Sequence, residues 1–259
     1  MPRFTTSDGL SLRYEDTGGD RPVLLLSNSL GTRLEMWDPQ MAAFSGAFRV
    51  LRYDKRGHGD SETRVGPTSF ARLTRDAVEL LDHLNIARAD WCGLSMGGMS
   101  GMWAATHHRD RFDRVVLCNT SAAMGPPDLW NQRIAIVKTK GLGPLVSNIV
   151  DRWFTKRFQE ADKASVARIV DMLNATPPEG YAACSSAIRD MDQRWPVRSI
   201  TNPVLVIAGT HDGSTPAAKG REIAAAIPGA AYVELDAAHL SNIEQEKAFT
   251  TAVMDFLRR

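Results

Sequence analysis

Three residues that together can make a hydroxyl nucleophilic lie far apart in this 259-residue chain: Ser95, Asp212 and His239. Ser95 stands in Gly93-Leu94-Ser95-Met96-Gly97, the spacing G-x-S-x-G, which carries a serine on a sharp strand-to-helix turn with its Oγ exposed. A serine hydroxyl is a weak nucleophile at neutral pH. A base must take its proton, and a carboxylate must hold that base in the correct tautomer and stabilise its charged form. His239 and Asp212 can fill those roles, in the chain order serine, acid, histidine. The chemistry would be acyl transfer, with the oxyanion held by backbone N–H groups. Met96, directly after the nucleophile, is one expected donor. The second comes from the loop Asn28-Ser29-Leu30-Gly31-Thr32, through Ser29 or Leu30, with Leu30 favoured.

These residues are useful only if the elements before them bring them together. Ala89 to Gly93 reads as a buried strand, and Met96 to Thr106 as a helix packed closely through Gly97, Gly98 and Gly101. Val204 to Gly209 is a continuous apolar run that ends just before Asp212, and Ala231 to Leu235 is a strand that ends just before His239. Pro22 to Ser27, Phe48 to Tyr53 and Arg114 to Cys118 complete the buried strands. Helices are expected at Trp37 to Phe44, Ser69 to Leu84, Ala217 to Ala226 and Ile243 to Leu257. Two short stretches, Phe4 to Thr6 and Leu10 to Asp16, flank the turn residues Asp8-Gly9 and suit an antiparallel edge. The alternation predicts an α/β fold: a mostly parallel eight-stranded sheet covered by helices on both faces.

Between Ser121 and Pro196 the alternation stops. Only helical patterns occur there, at Leu129 to Lys140, Leu145 to Phe158, Ala161 to Ala175 and Pro178 to Asp190. They predict a helical cap over residues 121–196, inserted into a core domain of residues 1–120 and 197–259. Trp130, Trp153, Phe154 and Trp195 are its expected apolar bulk.

Singly, each candidate has an ordinary role: Asp212 could cap the next helix, and His239 could be a solvated loop residue. Their coincidence with the serine turn favours the joint reading. Asp236 competes as the acid but lies only three residues before His239, poorly placed to orient its ring. His58, between two glycines, is expected to tie its own loop together. A formal net charge of +1 without a basic stripe, and the lack of any bilayer-length apolar run, point away from nucleic acid and membrane and toward a small-molecule ligand. The start of the chain lacks the apolar core of a signal peptide, and Cys92, Cys118 and Cys184 have neither paired nor metal-site spacing. They read as inert thiols in a cytoplasmic protein, and the chemistry needs no metal or organic cofactor.

Several longer stretches are more specific: SNSLGT and MWDPQ between Ser27 and Gln40, RYDKRGHG from Arg52, CGLSMGGM from Cys92, RWFTKRF from Arg152, GYAACSSAIRDMD from Gly180 and AAHLSNIEQ from Ala237. Over nearly its whole length the chain resembles the 3-oxoadipate enol-lactonases, cap-bearing α/β-hydrolases of bacterial aromatic-acid degradation. Asn28-Ser29 replaces the His-Gly usual in the wider superfamily, as fits the lactonases. The resemblance implies hydrolysis of 3-oxoadipate enol-lactone to 3-oxoadipate by Ser95, His239 and Asp212 through an acyl-enzyme. The substrate's carboxylate arm needs a cation. Arg133 and Trp130, three residues apart on the first cap helix, are the expected pair; Arg189, Lys138 and Arg33 are rivals. Two other readings remain: a general carboxylesterase or perhydrolase with the same triad, and a non-catalytic ligand-binding protein. Dehalogenase or epoxide-hydrolase chemistry is disfavoured, because those members carry an aspartate where Ser95 stands.

Overall fold

The computed structural model describes residues 1–258. In chain order the strands are β1 (Arg3–Thr5), β2 (Ser11–Asp16), β3 (Val23–Ser27), β4 (Arg49–Tyr53), β5 (Ala89–Leu94), β6 (Phe112–Cys118), β7 (Val204–Gly209) and β8 (Ala231–Leu235). They form one eight-stranded sheet in the order β1-β2-β4-β3-β5-β6-β7-β8. The pairs β1–β2 and β2–β4 are antiparallel and all others parallel. Every residue of β5 and β7 is buried, so both faces of the sheet's centre are covered. The strand order reverses about β3, which lies between β4 and β5. Crevices at such a reversal, beyond the strands' C-terminal ends, are where open α/β sheets hold ligands.

The helices are α1 (Asp38–Ser45), α2 (Phe70–His83), α3 (Met96–His107), α4 (Pro127–Lys140), α5 (Gly143–Trp153), α6 (Lys156–Ala161), α7 (Lys163–Ala175), α8 (Pro178–Asp190), α9 (Ala217–Ala226), α10 (Ser241–Glu244) and α11 (Glu246–Leu257). Helix α2 shows how the pattern works: Ser69 caps it by accepting the Arg72 N–H at 3.3 Å, and Phe70, Leu73, Ala77, Leu80 and Leu81 form its buried stripe. Helices α4 to α8 fill the chain between β6 and β7.

Three expectations need correction. Leu145 to Phe158 is not one helix. Phe154 is extended, and Thr155 starts α6 by accepting the Phe158 N–H at 3.2 Å, so the apolar periodicity runs across a real break. The last helical pattern is likewise split at Gln245, whose side chain reaches back to the Asp236 carbonyl at 3.0 Å. Trp195 contributes nothing to the apolar interior: it is 79% exposed, with the Arg198 guanidinium 5.0 Å from its ring centre.

Candidate active site

Between the end of β5 and the start of α3, Ser95 adopts φ 58 and ψ −115, a conformation that costs a non-glycine residue about 1–3 kcal/mol. The surroundings hold it there. The Ser95 N–H donates to the Cys118 carbonyl at 2.8 Å, and the Thr120 hydroxyl donates to the Ser95 carbonyl at 2.8 Å. The turn also needs its glycines, because a β-carbon on Gly97 would lie 1.9 Å from the Ser27 carbonyl oxygen. Ser95 is 8% exposed, and among the described residues its hydroxyl makes no hydrogen bond. Met96 opens α3, and its N–H likewise has no acceptor.

Asp212 follows β7 and His239 follows β8, and the two side chains meet: His239 Nδ1 lies 2.8 Å from Asp212 Oδ2. Asp212 Oδ1 accepts the N–H groups of Ser214 and Thr215 at 2.7 and 2.8 Å. Its Oδ2 also accepts from the Thr215 hydroxyl at 2.8 Å and from Asn119 Nδ2 at 3.1 Å. Burial works to raise the Asp212 pKa, yet the neighbouring His239 ring and these donors outweigh it and hold the carboxyl below its ordinary range. Asp236, the competing acid, points elsewhere. It is exposed and binds His211 at 2.8 Å and Arg157 at 3.1 Å.

Sequence reading missed two residues that build this corner, Asn119 and Glu244, and gave a third, Trp153, only as apolar bulk of the cap. Asn119, at φ 45 past the end of β6, donates to both Asp212 and the Ala238 carbonyl at 3.1 Å and accepts the Ser241 hydroxyl at 2.6 Å. The only signal was an asparagine at a strand end, a residue type that tolerates positive φ. Trp153 at the end of α5 sets its ring 5.8 Å from that of His239 and accepts the Leu240 N–H at 3.1 Å. Glu244 accepts the Ala238 N–H at 2.9 Å and also the Thr155 hydroxyl, linking the histidine loop to the turn between α5 and α6.

The loop after β3 distinguishes the two candidate donors. The Ser29 N–H donates to Met36 Sδ at 3.3 Å, whereas the Leu30 N–H has no partner among the described residues. His58 is buried with Nδ1 3.2 Å from the Arg56 carbonyl, tied into its own loop, and burial pushes its pKa down to about 4.

Of the four candidate cations, three lie beside a carboxylate. Arg33 pairs with Glu35 at 3.1 Å, Lys138 lies 3.9 Å from Glu179, and Arg189 binds Asp190 at 2.7 Å and Asn131 at 2.9 Å. Arg133 instead donates to the Tyr181 hydroxyl at 3.1 Å and sits 5.2 Å from the centre of the Trp130 ring. The Tyr181 ring packs beside Gly31, so Arg133 is joined to the loop that carries Leu30.

A protein family described as the alpha/beta hydrolase fold matches residues 22–246. The chain belongs to that family. This α/β-hydrolase is 48% identical to the enol-lactonase from Burkholderia xenovorans, with 100% of each chain covered and a TM-score of 0.97. It is 41% identical to 3-oxoadipate enol-lactonase 2 of Acinetobacter baylyi over 98% of this chain and 96% of that one. A thermophilic esterase from Thermogutta terrifontis, solved with malate bound, is 29% identical with a TM-score of 0.93, over 99% of this chain and 97% of that one. The α/β-hydrolase is an enzyme of the carboxylic-ester hydrolase class.

Proposed function

We propose that this hydrolase opens 3-oxoadipate enol-lactone to 3-oxoadipate, with Ser95, His239 and Asp212 as its triad. The observation that carries this substrate is Arg133, a cation without a carboxylate partner among the described residues, bonded to Tyr181 beside the Leu30 loop. The names of the lactonase relatives support the same reading. In the proposed mechanism His239 takes the Ser95 proton as Oγ attacks the lactone carbonyl, and the oxyanion sits between the N–H groups of Met96 and Leu30. Collapse breaks the ring C–O bond, and the expelled enolate takes the proton from His239. A water deprotonated by His239 then cleaves the acyl-enzyme, and the free enol converts to the ketone.

Residues 121–196 would act as the cap that closes the lactone in, with Arg133 and Trp130 on its first helix holding the carboxylate and the ring's apolar side. The proposed compartment is the cytoplasm, supported by three buried free thiols, Cys92, Cys118 and Cys184. The second reading, an esterase for small neutral esters, has the Thermogutta relative in its favour. Spectrophotometric loss of enol-lactone, run beside p-nitrophenyl acetate hydrolysis, separates the two. A higher kcat/KM on the neutral ester would reject the lactonase.

A further inference from the structure

Lys55 follows β4 and is only 1% exposed, unusual for a side chain that carries a charge. Its Nζ donates to the backbone carbonyl of Asn28, and among the described residues it meets no carboxylate. Such a group costs stability unless its charge is used. Its titratable surroundings are few. Cys184 faces it from α8, Asp54 precedes it, and His58 lies in the same loop. Asp54 is itself engaged with the Leu34 and Asp60 N–H groups at 2.8 and 3.0 Å and with Arg13 at 3.4 Å.

The bond to Asn28 bears on the orientation of the Leu30 N–H. A trans peptide is planar, with C=O and N–H on opposite sides, so a partner on each side fixes its orientation. In the Asn28–Ser29 peptide Lys55 holds the oxygen and Met36 Sδ holds the N–H. In the next peptide the Ser29 oxygen accepts the Thr32 hydroxyl at 3.0 Å, which fixes the orientation of the Leu30 N–H, a donor without a partner among the described residues. The Asn28 side chain is pinned as well, donating to the Tyr53 carbonyl at 3.0 Å and accepting Trp37 Nε1 at 2.9 Å. Among these anchors Lys55 alone carries a charge.

We propose that Lys55 is a positioning residue of the oxyanion loop: its buried ammonium fixes the Asn28–Ser29 peptide, aims the Leu30 N–H, and favours negative charge one peptide away. The proposal rests on the oxyanion-hole reading above. It makes the charge state of Lys55 matter. Burial pulls its pKa down to about 7, partly opposed by Cys184 and Asp54. As pH rises through that value the ammonium becomes an amine, the charge-assisted bond weakens, and the rate falls.

The test compares the parent with Lys55→Met, which keeps most of the side chain's length and removes its charge. Two readouts run from about pH 6 to 9: phosphonylation of Ser95 by a fluorophosphonate, and kcat and KM on p-nitrophenyl acetate. Removing an oxyanion donor outright costs about 10²–10³ in kcat, so loosening one should cost about 10- to 100-fold with KM nearly unchanged. The parent's alkaline decline should vanish in the variant. A residue that merely packs would leave the shape of the pH profile alone. Lys55→Met trades the cost of a lone buried charge for an unpaired Asn28 carbonyl, so the fold should be kept with a melting temperature within several degrees of the parent's. If Lys55→Met does not fold, the parent decides alone: a phosphonylation rate that stays level or climbs above neutral pH overturns the proposal. Equal rates in parent and variant also overturn it and leave the serine-hydrolase reading standing. Failure of the fluorophosphonate to label Ser95 in the parent overturns that reading, and Lys55 with it.

Discussion

The Arg133 guanidinium donates to the Tyr181 hydroxyl at 3.1 Å, while Arg33, Lys138 and Arg189 each lie beside a carboxylate. An arginine anchored at one nitrogen keeps other N–H donors for a substrate carboxylate. Arg133→Ala should therefore raise KM for the enol-lactone about 10- to 200-fold, the loss expected for a charge-assisted pair of about 1.5–3 kcal/mol. Hydrolysis of p-nitrophenyl acetate should barely change. An equal loss on both substrates would mean that Arg133 acts by holding Tyr181 against the Leu30 loop.

Ser95→Ala should leave the fold intact and remove most turnover. Alanine keeps the β-carbon and with it the strained φ of 58, and the hydroxyl it removes makes no hydrogen bond among the described residues, so the melting temperature should hold while kcat drops by about 10⁴ or more. A fluorophosphonate adduct mapped by mass spectrometry to any other residue would end the assignment.

Asp212 receives hydrogen bonds from His239, Thr215, Ser214 and Asn119, whereas Asp236 serves His211 and Arg157 at the surface. Asp212→Asn should depress kcat severely, by about 10⁴, because an amide favours the wrong imidazole tautomer. Asp236→Asn should stay within a few-fold of the parent. The reverse ranking would name Asp236 as the acid.

His58 makes the protein acid-sensitive. Its pKa is about 4 in the folded chain and 6.5 at its ordinary value, so between these the unfolded chain binds a proton that the folded chain does not. Stability should be flat with respect to this group above that window and fall as pH drops through it. Melting temperatures measured across the window should decline less steeply in His58→Gln than in the parent. Parallel declines would show that His58 is not the group responsible.

Gly180 on α8 faces Gly57 of the RGHG loop so closely that a β-carbon on Gly180 would lie 2.0 Å from the Gly57 carbonyl oxygen. Backbone cannot move aside as a flexible side chain can. Gly180→Ala should cost about 1–3 kcal/mol or more and lower the melting temperature by several degrees. An unchanged melting temperature would mean that α8 shifts freely over this loop.

The strands were legible because a strand buried on both faces must be apolar throughout, as Val204 to Gly209 is, and the turn at Ser95 because close backbone approach admits only glycine at Gly97. That Asp212 and His239 follow strand ends could likewise be read along the chain. Helix breaks at Phe154 and Gln245 could not, since apolar periodicity continues across them and the side chains at the breaks bond outside their own helices, Thr155 to Glu244 and Gln245 to the Asp236 carbonyl. The sequence favoured Leu30 over Ser29 and Arg133 over its rivals without showing which N–H and which cation lacks a partner, and it did not single out Asn119, Glu244 or Lys55. Asn119 reaches Asp212 across 93 residues, and Lys55 reaches Asn28 across 27. Local pattern records which face of an element is apolar. Which polar groups then find partners is decided only when the sheet and the helices between β6 and β7 close on one another, because a buried donor takes the nearest acceptor in space, whatever its distance along the chain.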